Sequence, residues 1–280
     1  MSSNLHILQN KNCHPRDLFV KFYHRGHKYE VKHDNKSSYT SVTTWVHHHF
    51  PKFDADDIIS KMFNSKSWGP EHKYWGMDAD QIKQLWKSNG SQATTSGTNL
   101  HSKIEEFMNS DCFENDVYSL KELAELYHEE NDTSDCIEWE YFIQFVDDNP
   151  HLYPYRTEWM IYDEDLKIAG SIDMVFENLD GTLTIYDWKR CKEIIKTNNW
   201  NKTACNPLID HLPDSNFWHY SIQLNTYKSI LERKYGKRVT NLYLVRLHPD
   251  AESYELMDVP ILVEEMNSLF GQRMEEINGN

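Results

Sequence analysis

Two short stretches of this chain carry residues that could do chemistry together. Gly170-Ser171-Ile172-Asp173 is followed, after an interval that fits one tight turn, by Asp187-Trp188-Lys189. Both read as strands. Side chains alternate along a strand, so Asp187 and Lys189 share a face about 7 Å apart. A hairpin between the strands would bring Asp173 beside them. Carboxylate oxygens are the hard ligands that a small divalent cation such as Mg²⁺ prefers. Such an ion acidifies water and polarises a phosphoryl oxygen, while a neighbouring lysine can orient or deprotonate water or offset charge on a phosphate. An ordinary ion pair at a strand end would use the same residue types, and Asp-x-Lys alone is a common pattern.

Other residues could join this group. Gly97-Thr98-Asn99-Leu100-His101 reads as the opening of a helix, which places the His101 imidazole in its first turns. A neutral imidazole is a good ligand for a divalent metal and can complete a carboxylate site. Gln223 and Tyr227 lie at i, i+4 on a later helix and share a face. Their amide and phenol could hold a phosphate or a base near the ion. Glu105 follows His101 by one turn; with Glu106 it reads equally as a solvated acidic face. His47, His48 and His49 are consecutive, so on a helix they diverge and cannot converge on one ion. Trp200, Phe217, Trp218 and Tyr220 could stack on unpaired bases, although core packing explains them as well.

The charge is unevenly spread. The 280 residues carry a net charge of −15, which is unusual for a chain that binds phosphates. Residues 105–180 hold 22 acidic and 3 basic residues, and residues 189–246 hold 11 basic and 4 acidic ones. The basic flank therefore begins at Lys189, and Arg190 and Lys192 are its candidate phosphate contacts. Cys13, Cys112, Cys136, Cys191 and Cys205 form no CxxC pair, which argues against a disulfide framework and a Cys-rich zinc site. No apolar run approaches the roughly 20 residues that span a bilayer, and the first residues do not read as a secretory signal. The expectation is a cytoplasmic protein that is not secreted and has no membrane partner.

The elements that must position these residues fall into two halves. The spacing predicts a short strand over 27–32, a helix from a Thr40 or Ser41 cap to His49, a second from Asp54 to about Phe63, and a third from Asp78 to about Lys87. Helices follow from Thr98, over Ser119–Glu130 and over Ser134–Asp147. Strands are expected at Arg156–Tyr162, Lys167–Glu177 and Thr182–Lys189, then a polar loop over 191–214. A helix from Phe217 to Tyr235 is stopped by Gly236. Strands at Val239–Leu247 and Tyr254–Val259 precede a last helix, with Pro260 in its first turn.

The ordered series GTNLH, GSID, DWK and QLNTY resembles the motif set of the PD-(D/E)XK nuclease superfamily, in its RecB-like and lambda-exonuclease-like branch. It covers about residues 97–247. Tyr39-Thr40-Ser41-Val42-Thr43-Thr44 and the helices after it are similar to phage and large-virus members. The resemblance implies an α/β fold: a restriction-endonuclease-like core over 97–280 with a central mixed β-sheet flanked by helices, and an N-terminal, mainly helical region over 1–96 packed on it. It implies that His101, Asp173, Asp187 and the Trp188 backbone carbonyl bind one or two Mg²⁺ or Mn²⁺ ions, and that Lys189 is catalytic with Asp187 and Asp173. Glu158 stands where many members carry an acidic residue that serves a second metal or a water. Gln223 and Tyr227 would support the site and contact nucleic acid.

The implied activity is hydrolysis of DNA, single- or double-stranded, by an exonuclease acting on ends in replication, recombination or repair. A separate helicase or recombination protein would be a natural partner. The oligomeric state is left open. Cys191 and Cys205 are isolated, so no iron–sulfur cluster is expected, and no GxxxxGK[ST] loop is present to couple cleavage to ATP. The alternatives are an endonuclease on RNA or DNA and a non-catalytic nucleic-acid-binding protein with a degenerate nuclease fold. A two-carboxylate glycosidase would need neither Lys189 nor His101.

Overall fold

The computed structural model describes residues 6–110, 119–130, 136–198 and 201–279; Cys112, Ser134 and Trp200 lie outside them. Its centre is a mixed six-stranded sheet. β4 (Tyr153–Asp163) runs antiparallel along one whole edge of β5 (Ile168–Glu177). The other edge of β5 is shared. Its first residues pair in parallel with β3 (Thr40–Ser41), and Met174–Glu177 pair antiparallel with β6 (Leu183–Lys189). The β5–β6 turn closes where expected, with Gly181 at φ +78° and Asp180 accepting from the Thr182 N–H at 3.0 Å. A tight turn that needs φ > 0 favours glycine. β7 (Val239–Arg246) pairs in parallel with β6, and β8 (Glu255–Asp258) closes the far edge.

Helices cover both faces. α1 (Ile7–Lys11), the end of α4 (Ala79–Met108), α5 (Leu120–Glu130) and α6 (Ile137–Asp148) enclose one core with Met174, Phe176, Tyr186 and Trp188. α2 (Val42–His47), α7 (Asn216–Lys234) and α8 (Val263–Asn278) enclose the other with Ile172, Val175, Leu183 and Ile185. β6 is therefore buried without a break from Leu183 to Trp188, as a strand covered on both faces must be. A hairpin of β1 (Val20–Tyr23) and β2 (Lys28–Val31) packs on Tyr162 and Ala169. The described residues thus form an α/β fold with a central mixed sheet between helical layers.

Three expectations need correction. The helices expected to end near Lys87 and to start at Thr98 are one helix of 30 residues, which also runs through the expected boundary at 96/97. A reciprocal Asp78–Gln81 capping box starts it. Gly90 and Gly97 weaken it without ending it, and the hydroxyls of Thr94 and Thr95 bond back to carbonyls one turn earlier. Pro260 is not in the last helix, which begins at Val263. Asn225 of α7 holds that segment outside the helix, donating to the Pro260 carbonyl at 2.9 Å and accepting from the Leu262 N–H at 2.8 Å. Strands β1 and β3 were not foreseen, and β3 makes the N-terminal region part of the central sheet.

The long polar loop is anchored on His49. The His49 carbonyl accepts from the N–H groups of Cys205 and Asn206, and the Asn206 amide donates to His49 Nδ1 at 3.0 Å. His47 approaches His219 instead, so the three consecutive histidines do diverge. His49 is buried, and burial pushes its pKa down to about 4. The unfolded chain, with an ordinary imidazole near 6.5, binds the proton more readily. Stability is then whole above pH about 6.5 and declines as pH falls towards about 4. We expect His49→Gln to flatten that limb of a stability–pH profile measured by urea denaturation; an unchanged slope would contradict the assignment.

Candidate metal and acid site

The site lies where the shared edge of β5 divides. Neither β3 nor β6 pairs with residues Gly170 to Asp173. The β4 ladder also skips one position here, between Thr157↔Met174 and Trp159↔Ile172, which leaves Glu158 opposite Asp173. Glu158 has φ +41°, a conformation rare for any side chain but glycine and typical of strained functional positions. The ribbon turns over at this point, since Ile172 joins the α7 core while Met174 joins the α6 core. Both carboxylates are thereby turned towards α4.

There His101 meets them. Its Nδ1 lies 3.6 Å from Asp173 Oδ2 and 3.8 Å from Glu158 Oε1. Donor atoms of His101, Glu158 and Asp173 all lie within 4.8 Å of one another. The Trp188 peptide ties this cluster to β6. Its N–H donates to Asp173 Oδ2 at 3.1 Å, and its carbonyl faces His101 Nε2 at 3.0 Å. A carbonyl only accepts, so Nε2 carries the proton and Nδ1 is the nitrogen left for a metal. Ser171 steadies Glu158, donating from Oγ to Oε2 at 2.9 Å.

Asp187 stands apart from that triad. It is buried, and its carboxylate forms an ion pair with the Lys189 ammonium. Burial pushes the Asp187 pKa up to about 6, with Asp173 adding to the rise against the pull of Lys189. Burial likewise raises Asp173. Lys189 keeps its charge: burial opposes it, but Asp187 and Asp173 outweigh that penalty and raise its pKa. Its ammonium also lies 4.5 Å from the Tyr220 ring centre. Burial opposes protonation of His101 as well, yet Asp173 and Glu158 outweigh it and push its pKa up to about 9. The same acids would favour a divalent ion at Nδ1, whose charge would take the place of that proton. The donor set fits such an ion, with one imidazole nitrogen and hard carboxylate oxygens.

The remaining predicted residues take different places. Gln223 donates from Nε2 to the Tyr227 hydroxyl at 3.1 Å. The buried Tyr227 ring presses on Gly170, where a Cβ would lie 2.7 Å from Tyr227 Cε1. The glycine of GSID therefore serves close approach of α7 to the open edge of β5. Arg190 is committed to Glu138 of α6 at 2.7 Å, whereas Lys192 is 78% exposed and pairs with Asp250 at 3.4 Å. Glu105 does turn towards the site, where burial and then Glu158 push its pKa up to about 7. It lines a cavity of about 620 Å³ with His101, Glu158, Tyr29 and Phe22. Tyr29 has no place in the site as read from sequence, and Tyr220 is read there only as a ring that could stack on bases or pack in the core. Tyr220 carries a legible signal, one helical turn before Gln223. Tyr29 reaches the site from the β1–β2 hairpin and has none.

No family model matches the sequence, and no curated protein matches it. Among solved structures, the chain is similar to a "Putative exonuclease" from Eubacterium rectale, with 15% identity, 86% of this chain and 82% of that one covered, and a TM-score of 0.39. It is also similar to the protein SSO0001, with 14% identity, 56% of this chain and 84% of that one covered, and a TM-score of 0.24. At these scores neither likeness carries an inference about chemistry. Among the described residues, no helix is long and apolar enough to cross a membrane.

The Gly170–Tyr227 contact is open to a direct measurement. Gly170→Ala overpacks the seam between β5 and α7 and should destabilise the protein by about 1–3 kcal/mol. The urea midpoint should fall with little change in slope; a wild-type midpoint would show that the seam yields freely.

Proposed function

We propose that this chain is a divalent-metal-dependent nuclease of the RecB-like, lambda-exonuclease-like branch of the PD-(D/E)XK superfamily, acting on DNA ends. The observation that carries the reading is the convergence of His101, Glu158 and Asp173 beside the buried Asp187–Lys189 pair, with His101 and Asp173 both bonded to the peptide of Trp188, which lies between Asp187 and Lys189. Isolated surface acids would not be held by a buried peptide clamp.

An Mg²⁺ or Mn²⁺ ion held by His101, Glu158 and Asp173, with Asp187 and the Trp188 carbonyl close by, would supply Lewis-acid polarisation of the phosphoryl group and a lowered water pKa. The chain's own groups do the rest. Lys189, kept charged by Asp187 and Asp173, offsets the negative charge that builds on the phosphoryl oxygens during in-line attack. That electrostatic role fits a raised pKa better than proton abstraction does. Tyr220 and Asp187 fix the lysine's position. Gln223 supports the seam through Tyr227, and Lys192 provides an exposed positive charge for a phosphate.

Labelled linear DNA, covalently closed circular DNA and RNA, each with Mg²⁺, Mn²⁺ or EDTA, test this reading. Linear DNA should be cut only with metal, circular DNA should resist, and Lys189→Ala should lose about 100-fold or more in rate. Robust cleavage by Lys189→Ala would overturn the catalytic assignment, and cutting of circular DNA or RNA would reassign the substrate. Calorimetric Mn²⁺ titration examines the ligands separately. Asp173→Asn should weaken binding at least about tenfold, and wild-type affinity in that variant would exclude Asp173 as a ligand.

A further inference from the structure

A second surface lies away from the metal ligands. α3 (Ala55–Phe63) and the turn after it carry aromatic rings that belong to none of the three buried clusters. Trp68 lies 4.6 Å from Phe63 and 5.6 Å from Trp75, ring centre to ring centre. Tyr74 and Phe53 each lie 5.9 Å from Trp86. Trp75 is 49% exposed and Phe53 72%. Phe53 and Trp75 thus leave apolar ring surface open to solvent on this arm, the other rings being half-buried beneath them. It rests on the first turns of α4, where Trp86 donates to the Tyr74 hydroxyl at 3.0 Å and Lys83 pairs with Asp56 at 2.9 Å. Past that point α4 is bare: every residue from Lys87 to Thr95 is exposed. The rings therefore sit on an arm that stands off the body. Trp86 and His101 lie on one helix, separated by about 22 Å at 1.5 Å per residue.

Charge and composition select the occupant. The chain has 44 acidic residues, yet none lies between Gln81 and Ile104; of the lysines there, Lys83 is paired with Asp56 and Asp80, Lys103 lies over the Trp139 ring, and Lys87 is exposed. The bare turns offer Ser, Thr, Asn and Gln side chains, which contact phosphates. They hold one apolar residue, Ala93, and so lack the stripe that a protein partner or a second copy would pack against. On the aromatic turn, Lys66 and Lys73 are exposed and form no ion pair among the described residues. Of the arm's carboxylates, Asp57 is paired with Lys61, Asp56 and Asp80 are paired with Lys83, Asp54 and Asp78 cap α3 and α4, and Glu71 is exposed with no ion pair among the described residues.

We propose that the aromatic arm and the acid-free stretch of α4 form a track for single-stranded nucleic acid, with bases stacked on Trp75 and Phe53 and phosphates following the helix towards His101. Exposed rings suit unpaired bases because every base has a face to stack. The track rests on the nuclease reading for its destination, though not for its binding.

The test measures binding of the full chain to a labelled oligothymidylate of about 20 residues and to a blunt duplex of equal length, in EDTA, by fluorescence anisotropy. Trp75→Ala should weaken the single strand about 5- to 100-fold and leave the duplex unchanged. Replacing Lys66 and Lys73 with Gln should lower the salt dependence of single-strand binding by about one to two counterions. Trp75 is half exposed, so the variant should keep its thermal midpoint, which circular dichroism checks. Wild-type affinity in Trp75→Ala would overturn the track, and so would an equal loss for the duplex. A wild-type dimer that Trp75→Ala converts to monomer in sedimentation would overturn it in favour of a second copy. Loss of binding in Trp75→Ala, with no cleavage by the wild type, would leave the track and remove the nuclease; cleavage with unchanged binding would do the reverse.

Discussion

One edge of β5 has to serve two neighbours, and the candidate site exists because it cannot serve both along its whole length. A strand edge offers a single row of donors and acceptors. β3 takes the beginning of that row, β6 takes the end, and Gly170 to Asp173 fall between. In the gap, Asp173 can reach the Trp188 N–H and α7 can bring Tyr227 against Gly170. Had β6 continued alongside β5, that N–H would belong to the ladder and the carboxylate would point elsewhere. The positive φ of Glu158 on the opposite edge belongs to the same interruption, since it turns the second carboxylate to the same side.

The gap also gathers acids where water is scarce. Asp173 and Asp187 are raised by burial, and Lys189 and His101, whose own pKa values the facing acids raise, lie against them. A buried carboxylate without compensation normally neutralises itself by taking a proton. Here the Lys189 ammonium faces Asp187, while the Trp188 peptide, locked between the α6 core and β7, bonds both Asp173 and His101. The chemistry of the site and the rigidity of the central sheet are therefore the same set of contacts seen from two sides.

Much of this was legible in the sequence because it is local. Ser41, Asp54 and Asp78 cap helices as their types suggest, and the β5–β6 hairpin falls within a residue of its pattern. His101, Asp173, Asp187 and Lys189 stand out by residue type and by order along the chain. What could not be read depends on contacts between distant segments. Nothing in Thr40–Ser41 announces a strand; it becomes one because β5 has a free edge. The pairing of Asp187 with Lys189 follows their shared strand face, but the grouping of Glu158 with His101 and Asp173, apart from Asp187, follows from a twist that no spacing encodes. Arg190 reads as part of a basic flank, yet Glu138 on a distant helix claims it. The continuity of α4 was hidden by two glycines that lower helix propensity without deciding the outcome.

Those glycines have a thermodynamic consequence. Nothing lies within 4 Å of the position a Cβ would occupy at Gly90 or Gly97, so no steric contact requires glycine there. Each costs the helix up to about 1 kcal/mol relative to alanine, and the turns around Gly90 bury nothing to recover it. The middle of α4 is then held almost wholly by its own backbone hydrogen bonds. Its amide protons exchange with solvent through brief local fraying, far more readily than those of β6, which exchange only when the whole sheet opens.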